Sequence, residues 1–415
     1  MERVVITGVG LVTPCGVGTG ETFGALMNGQ SGVGPISLFE ATDEYATRFA
    51  AEVTAFEPTD FIAKKKLKEL ARFTKLSLAA TKLAVEHSGL NLKDEERDRA
   101  GCFIGVGLGG LENLERMSNL LERRGPRKVS PYFIPSIIGN LAGGQVSIEY
   151  GLRGPSYCHT SACASSAHAL GEAYEWIKHG RADVMVAGGA ESTITPLGVS
   201  GFSAMFALSR RNDAPQEASR PFDKGRDGFV IGEGAGTLVL ESLTRAKQRG
   251  AEILCELTGW AATSDAFHIT KPAPKHAFAA NAMRLALASA GLNPTDIGYI
   301  NAHGTSTPAG DSEEATAIVS VYGSHASDGK LWVSSTKSMM GHLLGASGAV
   351  EAAVCANAVK HGHIPPTINL EDQDETCLLD CVANDARQGD IKHAMSNSFG
   401  FGGTNAALVL SRFDD

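Results

Sequence analysis

One stretch of this sequence determines how the rest is interpreted: Tyr157-Cys158-His159-Thr160-Ser161-Ala162-Cys163-Ala164-Ser165-Ser166. A strand-type run ends here, and a helical pattern follows from about residue 164 to residue 180. Cys163 is therefore expected at a helix N-terminus, where unpaired N–H groups and the helix dipole stabilise a thiolate. This is the arrangement of a nucleophile elbow, but a buried cysteine more often packs as a small apolar side chain. The stretch alone leaves the two interpretations evenly balanced.

Strand-type runs alternate with helical patterns along the chain, which is typical of an α/β protein whose sheet is covered on both faces. The strand-type runs span residues 3–8, 101–106, 182–189, 236–241, 297–302, 331–335 and 406–410, and helical patterns span 74–88 and 348–361. No Pro- or Ser-rich linker divides the chain. The alternation of strand-type runs and helical patterns in residues 1–255 recurs weakly in residues 256–415. We therefore expect two similar halves packed into one body.

The composition is that of a globular protein and excludes some classes of function. Apolar residues make up 43% of the 415 residues, and charged residues make up 20%. The net charge of −9 argues against a nucleic-acid-binding protein, which is usually basic. We expect neither a membrane span nor a signal peptide, because no apolar run is long enough and a strand-type run begins at once. Eight cysteines without paired spacing predict reduced thiols and a cytoplasmic protein.

A basic cluster stands out against this acidic background, namely Lys64-Lys65-Lys66 with Lys68 and Arg72. Such clusters are usually the solvated face of a helix. The functional alternative is a docking surface for a small acidic protein, which opposite charge would attract.

Two histidines follow strand-type runs, at the strand ends where α/β sheets bind ligands. The segments are Asn301-Ala302-His303-Gly304-Thr305-Ser306-Thr307-Pro308 and Ser334-Ser335-Thr336-Lys337-Ser338-Met339-Met340-Gly341-His342. A lone histidine is more often structural, but two with a lysine favour a catalytic site. Both could donate hydrogen bonds to one developing oxyanion, such as a thioester enolate. The charge of Lys337 would keep both imidazoles neutral.

A glycine-rich segment lies near the C-terminus, Asn397-Ser398-Phe399-Gly400-Phe401-Gly402-Gly403-Thr404-Asn405. Its glycines would let backbone N–H groups face a pocket, and one of them could form an oxyanion hole together with the N–H of Cys163. Loss of one such donor costs about 2.7–4 kcal/mol of transition-state stabilisation. Taken alone, the segment is better explained as an ordinary β-turn.

Taken in order, these segments resemble the β-ketoacyl-[acyl-carrier-protein] synthases, and most closely the elongating type II enzymes of bacterial fatty acid synthesis. The resemblance covers essentially the whole chain. It implies a thiolase-like α/β fold in which two similar halves form five α/β/α/β/α layers, and it implies a homodimer. The halves are expected over residues 1–255, with the nucleophile, and 256–415, with the histidines, the lysine and the glycine-rich loop. The motifs are Ser161-Ala162-Cys163-Ala164-Ser165, Ser219-Arg220-Pro221-Phe222-Asp223, Gly228-Phe229-Val230-Ile231-Gly232-Glu233-Gly234, His303-Gly304-Thr305-Ser306-Thr307-Pro308-Ala309-Gly310-Asp311, Lys337-Ser338-Met339-Met340-Gly341-His342 and the glycine-rich segment.

The resemblance implies an acyltransferase that elongates fatty acyl chains by decarboxylative Claisen condensation of malonyl carrier protein with an acyl-Cys163 thioester. Cys163, His303 and His342 match the family's triad, and a second histidine in place of asparagine matches the elongating branch. Lys337 matches a structural, charge-tuning lysine, with Glu314 as its expected partner. Phe401 matches a gating phenylalanine whose N–H belongs to the oxyanion hole.

Further roles are implied by the same resemblance. Leu108 would limit the depth of the acyl pocket, and Phe133 and Phe202 would line its wall. The other implied positions are substrate-binding Phe229, Thr305, Thr307 and Phe399, supporting Asp311, Glu314 and Glu351, and a buried set able to hold a monovalent cation, Asn301, Glu351, Ser396 and Asn397. No other cofactor is implied.

The basic cluster acquires a partner through the resemblance, because acyl carrier proteins are acidic. The matching docking residues are Lys64, Lys65, Lys68, Arg127 and Lys128, and neither nucleic acid nor membrane is an expected partner. Phe206 departs from the pattern, since the related enzymes carry arginine there, and so does Glu69, where a basic residue is expected. The departures are compatible with a dedicated carrier from a specialised pathway.

Three alternatives remain at this point. One is a ketosynthase of a type II polyketide or polyene pathway with its own carrier protein. Another is a chain-length partner subunit without a nucleophile, against which Cys163 argues. The third is a cysteine hydrolase, which would need a carboxylate to orient its histidine, and the segment from Lys337 to His342 shows no sign of one.

Overall fold

The computed structural model describes residues 1–414. Its strands are β1 (Val4–Thr13), β2 (Gly16–Val17), β3 (Gly34–Pro35), β4 (Phe49–Ala50), β5 (Ala100–Gly105), β6 (Ser156–Tyr157), β7 (Val184–Glu191), β8 (Gly234–Ser242), β9 (Cys255–Ser264), β10 (Tyr299–Asn301), β11 (Trp332–Ser334), β12 (His363–Ile364), β13 (Arg387–Gln388), β14 (His393–Gly400) and β15 (Thr404–Ser411).

The α-helices are α1 (Thr19–Met27), α2 (Arg72–Ser88), α3 (Leu111–Arg124), α4 (Phe133–Ile137), α5 (Leu141–Tyr150), α6 (Ser165–Lys178), α7 (Pro196–Ala204), α8 (Leu243–Gln248), α9 (Ala277–Ala290), α10 (Pro308–Tyr322), α11 (Ser324–Ser327), α12 (Lys337–Met340) and α13 (Ser347–His361). Short 3-10 helices cover Pro58–Asp60, Lys64–Glu69, Asp94–Arg99, Pro126–Lys128, Ala162–Ala164, Pro215–Glu217, Pro274–His276, Pro294–Asp296 and Leu344–Ala346.

The large sheet contains the same five-strand arrangement twice. The strand order is β1-β8-β7-β5-β6 in the first half and β9-β15-β14-β10-β11 in the second. In both, the first three strands pair antiparallel and the last two join in parallel. The halves join where β1 pairs with β9, through Val5 with Glu256 and Ile6 with Cys255. The expectation of two similar α/β halves is thus confirmed, and the expected division at residue 255 falls at the start of the second arrangement.

Helices α6 and α13 form the central layer and contact strands of both halves of the sheet. Helices α2 and α5 cover the outer face of the first half, and α9, backed by α10, covers the second. The order of layers is therefore α/β/α/β/α, as the sequence predicts. Among residues 1–414, no helix combines the length and the apolar character that crossing a bilayer requires.

The predicted elements are found with shifted ends, and the nucleophile segment differs most. The strand before it, β6, contains only Ser156 and Tyr157, so Cys158 lies outside it. Helix α6 begins at Ser165 rather than at residue 164, and Cys163 lies in the 3-10 turn that precedes it. A strand this short has no alternation of side chains long enough to show in the sequence.

The two central helices pack with little space between them. A Cβ atom on Gly348 of α13 would lie 2.9 Å from the Cβ of Ala167 on α6 and 2.9 Å from the Oγ of Ser398 on β14. This closeness lets the 3-10 turns at the helix N-termini, Ala162–Ala164 and Leu344–Ala346, contact each other. The glycine therefore brings the nucleophile turn against the second half of the protein.

We expect Gly348→Ala to lower the free energy of unfolding by about 1–3 kcal/mol, because the added methyl group overpacks the helix interface. Urea unfolding followed by circular dichroism measures the change. Gly24→Ala in α1 is the matched control, since a Cβ there meets nothing within 4 Å. The control should stabilise the protein by about 0.5–1 kcal/mol through helix propensity. Equal unfolding midpoints for Gly348→Ala and the wild type would contradict the close packing.

Candidate active site

Cys163 is held by a rigid turn at the base of the central layer. The side chain is 8% exposed, and the preceding residue, Ala162, has a positive φ of 51°, which L-residues rarely adopt. Ser165 holds this conformation, because its hydroxyl donates to the carbonyl of Ala162 at 2.6 Å and accepts from the N–H of Ser161 at 2.9 Å. The turn therefore fixes the direction of the Cys163 sulfur.

Both predicted histidines reach the sulfur from the second half of the fold. His303 follows β10, and His342 follows the short helix α12. The Nε2 of His342 lies 2.9 Å from the Sγ of Cys163, and the ligand atoms of the three side chains lie within 4.8 Å of one another. The two imidazole rings meet edge to face with 5.4 Å between their centroids. The tertiary structure thus brings together the three residues that the sequence separates by up to 179 positions.

The groups that orient the imidazoles are not carboxylates bound to a ring nitrogen. The Nδ1 of His342 lies 3.0 Å from the hydroxyl of Ser347, and the Nδ1 of His303 has no hydrogen-bond partner among the described residues. Glu314 instead accepts from the backbone N–H groups of His303 and Gly304, at 2.8 and 2.7 Å. A cysteine hydrolase with an acid-oriented histidine does not fit this arrangement.

Lys337 forms an ion pair with Glu351, so the expected pairing with Glu314 is wrong. Lys337 is 1% exposed, and Glu351 comes from the middle of α13 and is also buried. Glu314 is unavailable because its two oxygens already cap the turn after β10. Glu351 therefore neutralises the lysine, and Glu314 holds the backbone at His303 and Gly304.

Burial and the lysine together keep the imidazoles uncharged. Burial, followed by the charge of Lys337, holds the pKa of His303 and the pKa of His342 well below the usual value. Neutral imidazoles are also what the sequence predicts. They can donate a hydrogen bond from one nitrogen and accept a proton on the other.

The thiol does not match the expectation drawn from its helix. Burial raises the pKa of Cys163 to about 12, although the charge of Lys337 and the N–H of Phe401 lower it. The helix N-terminus therefore does not produce a thiolate in the resting protein, because the desolvation of a fully buried sulfur outweighs it. The proton must leave during the reaction, and His342 is the base within reach.

The glycine-rich segment folds over the sulfur. It is the hairpin between β14 and β15, and the N–H of Phe401 donates to the Cys163 sulfur. A Cβ on Gly400 would lie 3.1 Å from the backbone nitrogen of Cys163, so the two N–H groups expected for an oxyanion hole are neighbours. The hydroxyl of Thr404 donates to the carbonyl of Ser161 at 2.9 Å and ties the hairpin to the nucleophile turn.

Aromatic side chains surround the triad on two sides. Phe229 packs edge to face on His342 and on Phe202, each with 5.4 Å between ring centroids. Phe399 packs on His303, with 5.7 Å between ring centroids. These rings keep water from the sulfur and offer apolar surface to an acyl chain.

Only some of the other predicted substrate residues belong to the apolar cluster around Cys163. Thr305 and Thr307 follow His303, with their hydroxyl oxygens 3.1 Å apart. The apolar cluster that contains Cys163 also contains Phe202 and Phe229, but neither Leu108 nor Phe133 belongs to it. Leu108 is 55% exposed in the single chain. Its predicted place at the bottom of the acyl pocket stays a prediction.

Three comparisons with known proteins agree with this geometry. Residues 1–246 match the family described as Beta-ketoacyl synthase, N-terminal domain, and residues 254–371 match Beta-ketoacyl synthase, C-terminal domain. The 3-oxoacyl-[acyl-carrier-protein] synthase 2 of Coxiella burnetii (strain RSA 493 / Nine Mile phase I) is 48% identical over 414 residues, covering 100% of this chain and 99% of that protein. The chain belongs to the β-ketoacyl synthase family.

Solved structures of other ketosynthases have the same fold. The ishigamide ketosynthase/chain length factor has a TM-score of 0.93 and 35% identity, with 100% of each chain covered. A type II PKS acyl-carrier protein in complex with its ketosynthase bound to the hexaketide has a TM-score of 0.91 and 33% identity, again with 100% of each chain covered. The thiolase-like fold predicted for this β-ketoacyl synthase is therefore confirmed.

The predicted cation set consists of buried side chains with unsatisfied oxygen atoms, the kind of donor that a small hard ion would require. All four side chains are buried, and one oxygen of each has no hydrogen-bond partner. The atoms are Oδ1 of Asn301, Oε2 of Glu351, Oγ of Ser396 and Oδ1 of Asn397. Buried oxygen atoms without donors are costly, and a hard cation would satisfy them.

The predicted docking residues are exposed, but the basic cluster is smaller than the sequence suggests. Lys64, Lys65, Lys68, Arg127 and Lys128 all face solvent. Arg72 is withdrawn from the surface by a paired contact with Glu233, at 2.6 Å from each of its carboxylate oxygens. The first three lysines lie on the 3-10 helix Lys64–Glu69, not on a regular helix face.

The two residues that depart from the family pattern, Phe206 and Glu69, differ in their exposure to solvent. Phe206 is 77% exposed, and the guanidinium of Arg210 lies over its ring, 5.2 Å from the centroid. A positive charge is thus retained four residues beyond the position where the family carries arginine. Glu69 is partly buried at the end of its 3-10 helix.

Sequence reasoning missed two residues of the site. Ser347 contacts His342 and begins α13, but a serine before an Ala-rich helix is also an ordinary helix start. Glu191 is fully buried at the end of β7, where its carboxylate accepts hydrogen bonds from backbone N–H groups near Cys163. An acidic residue two positions after the apolar run 182–189 was the available signal for Glu191.

We expect Lys337→Met to lower the free energy of unfolding by about 3–5 kcal/mol, because it leaves the buried Glu351 carboxylate without its cation. Lys337→Met combined with Glu351→Leu should recover most of that loss, as measured by chemical unfolding at pH 7. Lys337→Met combined with Glu314→Gln is the matched control and should recover none. Recovery with the Glu314 substitution instead of the Glu351 substitution would contradict the observed pairing.

Proposed function

We propose that this protein is an elongating β-ketoacyl-[acyl-carrier-protein] synthase that condenses malonyl carrier protein with an acyl group bound to Cys163. The observation that carries the proposal is the placement of one thiol and two neutral imidazoles within 4.8 Å. Two neighbouring backbone N–H groups, those of Cys163 and Phe401, complete a site suited to thioester chemistry.

In the first half-reaction, the sulfur of Cys163 attacks the carbonyl of an acyl-carrier thioester. The thiol proton passes to Nε2 of His342, which lies 2.9 Å away. The tetrahedral oxyanion is stabilised by the N–H groups of Cys163 and Phe401. The bond to the carrier sulfur then breaks, the carrier thiolate takes up the proton that His342 received, and the acyl group remains on Cys163.

In the second half-reaction, the C–CO2 bond of malonyl carrier protein breaks and its electron pair forms a thioester enolate. His303 and His342 donate hydrogen bonds to the enolate oxygen, which neutral imidazoles can do without transferring a proton. CO2 leaves, the enolate carbon attacks the acyl-Cys163 carbonyl, and the bond to the Cys163 sulfur breaks. The released Cys163 thiolate takes up a proton from solvent and returns to the thiol. The product is a β-ketoacyl carrier protein two carbons longer than the acyl group.

The alternative substrate class is a polyketide or polyene chain. The structure at 33% identity is a type II PKS complex by its title, and the structure at 35% identity is titled a ketosynthase/chain length factor. The relative at 48% identity is named 3-oxoacyl-[acyl-carrier-protein] synthase 2, which favours fatty acyl chains. Comparison of saturated acyl carriers with β-ketoacyl and enoyl carriers as primers would separate the two.

We also propose that the protein is a cytoplasmic homodimer with a bound monovalent cation.

Strand β6 lies at the open edge of the sheet and is exposed, and Leu108, Ile134 and Ile138 expose apolar side chains. An edge strand with apolar neighbours favours pairing with a second copy. All eight cysteines are free, which is compatible with a reducing compartment. The cation would satisfy the buried oxygens around Asn301 without taking part in the reaction.

The central prediction concerns Cys163. We expect Cys163→Ala to abolish condensation of acyl- and malonyl-carrier protein, because no acyl-enzyme can form. Intact mass spectrometry of the wild type should show one acyl adduct, and peptide mapping should place it on Cys163. Cys158→Ala is the control and should keep its activity, since Cys158 makes a weak contact with Thr160 and lies outside the triad. Undiminished condensation by the alanine variant at position 163 would refute the proposal.

Charge reversal tests the docking surface. We expect Lys65→Glu and Lys128→Glu each to lower kcat/KM for carrier-bound substrates by about tenfold at low salt, mainly through KM, and the loss should shrink at high salt. Lys330→Glu is the matched control, because that side chain is 66% exposed and is not one of the docking residues. An equal loss in all three variants would mean that net charge, not a local surface, attracts the carrier.

A further inference from the structure

Glu191 is a buried carboxylate that the reaction described above does not use. It is the last residue of β7 and is 0% exposed. A carboxylate placed in an apolar interior costs several kcal/mol unless nearby groups stabilise it. Burial raises the pKa of Glu191 to about 7, and four backbone N–H groups lower it.

These four N–H groups come from two separate segments. Oε1 accepts from Leu108 at 3.1 Å and from Gly109 at 3.3 Å. Oε2 accepts from Gly107 at 2.7 Å and from Gly345 at 3.2 Å. One side chain thus connects the loop between β5 and α3 with the turn that follows His342.

The two segments are packed so closely that glycine is required. A Cβ on Gly107 would lie 2.4 Å from Oε2 of Glu191. A Cβ on Gly345 would lie 2.4 Å from the nitrogen of Gly107 and 2.7 Å from the same carboxylate oxygen. A side chain at Gly107 or Gly345 would push the two segments apart. The contact between them therefore depends on these glycines as well as on the Glu191 carboxylate.

The turn after His342 adjoins the apolar cluster around the Cys163 sulfur. Leu344, directly before Gly345, belongs to the apolar cluster of Cys163 and has a positive φ of 48°, a conformation that its surroundings must hold. Ile194, three residues after Glu191, belongs to the same cluster. On the other side, the loop carries Leu108. The carboxylate thus joins a turn that belongs to this cluster to the loop where the sequence predicts the end of the acyl pocket.

We propose that Glu191 is a positioning residue that holds the loop 107–109 against the turn Leu344–Ala346 and so sets the shape of the acyl pocket beside Cys163. This inference rests on the proposed function, because it concerns the acyl chain that Cys163 would carry. Its consequence is selectivity among acyl chain lengths. A carboxylate that only stabilised the fold would affect all acyl chains equally.

Glu191→Gln is the first test, because glutamine keeps the size but replaces one acceptor oxygen with a donor that faces backbone N–H groups. We expect the ratio of kcat/KM between the best and the worst acyl carrier, in a series from four to sixteen carbons, to fall by about tenfold, the equivalent of one lost buried hydrogen bond. Glu191→Asp keeps the charge but cannot span both segments, so it should lose selectivity too.

Glu241→Gln is the matched control, since Glu241 is also 0% exposed but binds Arg245 and Arg249. It should lose stability without changing the ratio of kcat/KM values. If the two Glu191 variants retained the wild-type ratio, the inference would be wrong. If the wild type accepted no acyl carrier at all, the proposed function itself would fail, which is a different result.

Thiol chemistry supplies a separate readout of where the Glu191 charge lies relative to the Cys163 sulfur. The charges of Glu191 and Glu351 raise the pKa of Cys163, Lys337 lowers it, and the two imidazoles that face the sulfur are neutral. Glu191→Gln should therefore lower the pKa of the thiol and speed its alkylation by iodoacetamide above pH 7, where Glu191 is charged in the wild type.

The alkylation profiles of the wild type and Glu191→Gln should converge below about pH 6, where Glu191 is protonated. Glu191→Asp should alkylate more like the wild type, because it keeps the charge. This second measurement needs no carrier protein and remains informative if turnover is too low to measure. Identical profiles for all three proteins would contradict a placement of the Glu191 charge near Cys163.

Discussion

The buried ion pair between Lys337 and Glu351 is the interaction on which the rest of the site depends. An ammonium group in the interior is tolerable only next to a carboxylate, and Glu351 comes from the middle of the central helix α13. Burial, followed by the charge of Lys337, holds the pKa values of His303 and His342 well below the usual value. Neutral imidazoles can serve one half-reaction as base and the other as hydrogen-bond donors.

Burial shifts the pKa values of the imidazoles and of the thiol in opposite directions, because it favours the uncharged form of each. It favours the neutral imidazole, which is the useful form, and it favours the neutral thiol, which is the unreactive form. The nucleophile is therefore not permanently activated. Its reactivity depends on contact with His342 and on an acyl thioester placed against the N–H groups of Cys163 and Phe401.

The repeated sheet explains where the site lies. The first half supplies Cys163 and the Glu191 carboxylate, and the second half supplies both histidines, the lysine and the glycine-rich hairpin. Neither half contains a complete site, so the chemistry depends on the contact between them. That contact is made by α6 and α13, and Gly348 lets the two helices approach until their N-terminal turns touch.

The α/β class follows from local periodicity in the sequence, and the resemblance carried by motifs of contiguous residues implies the layers, the family and the triad. Which carboxylate neutralises Lys337 becomes clear only in the folded chain. Glu314 and Glu351 lie on different helices, and sequence distance does not predict which one reaches the ammonium group. The protonation state of Cys163 was also beyond the sequence, because a helix N-terminus is visible in a local pattern whereas desolvation is the sum of all surrounding segments. The role of Glu191 was hidden for the same reason, since its partners at 107–109 and 345 become neighbours only when the chain is folded.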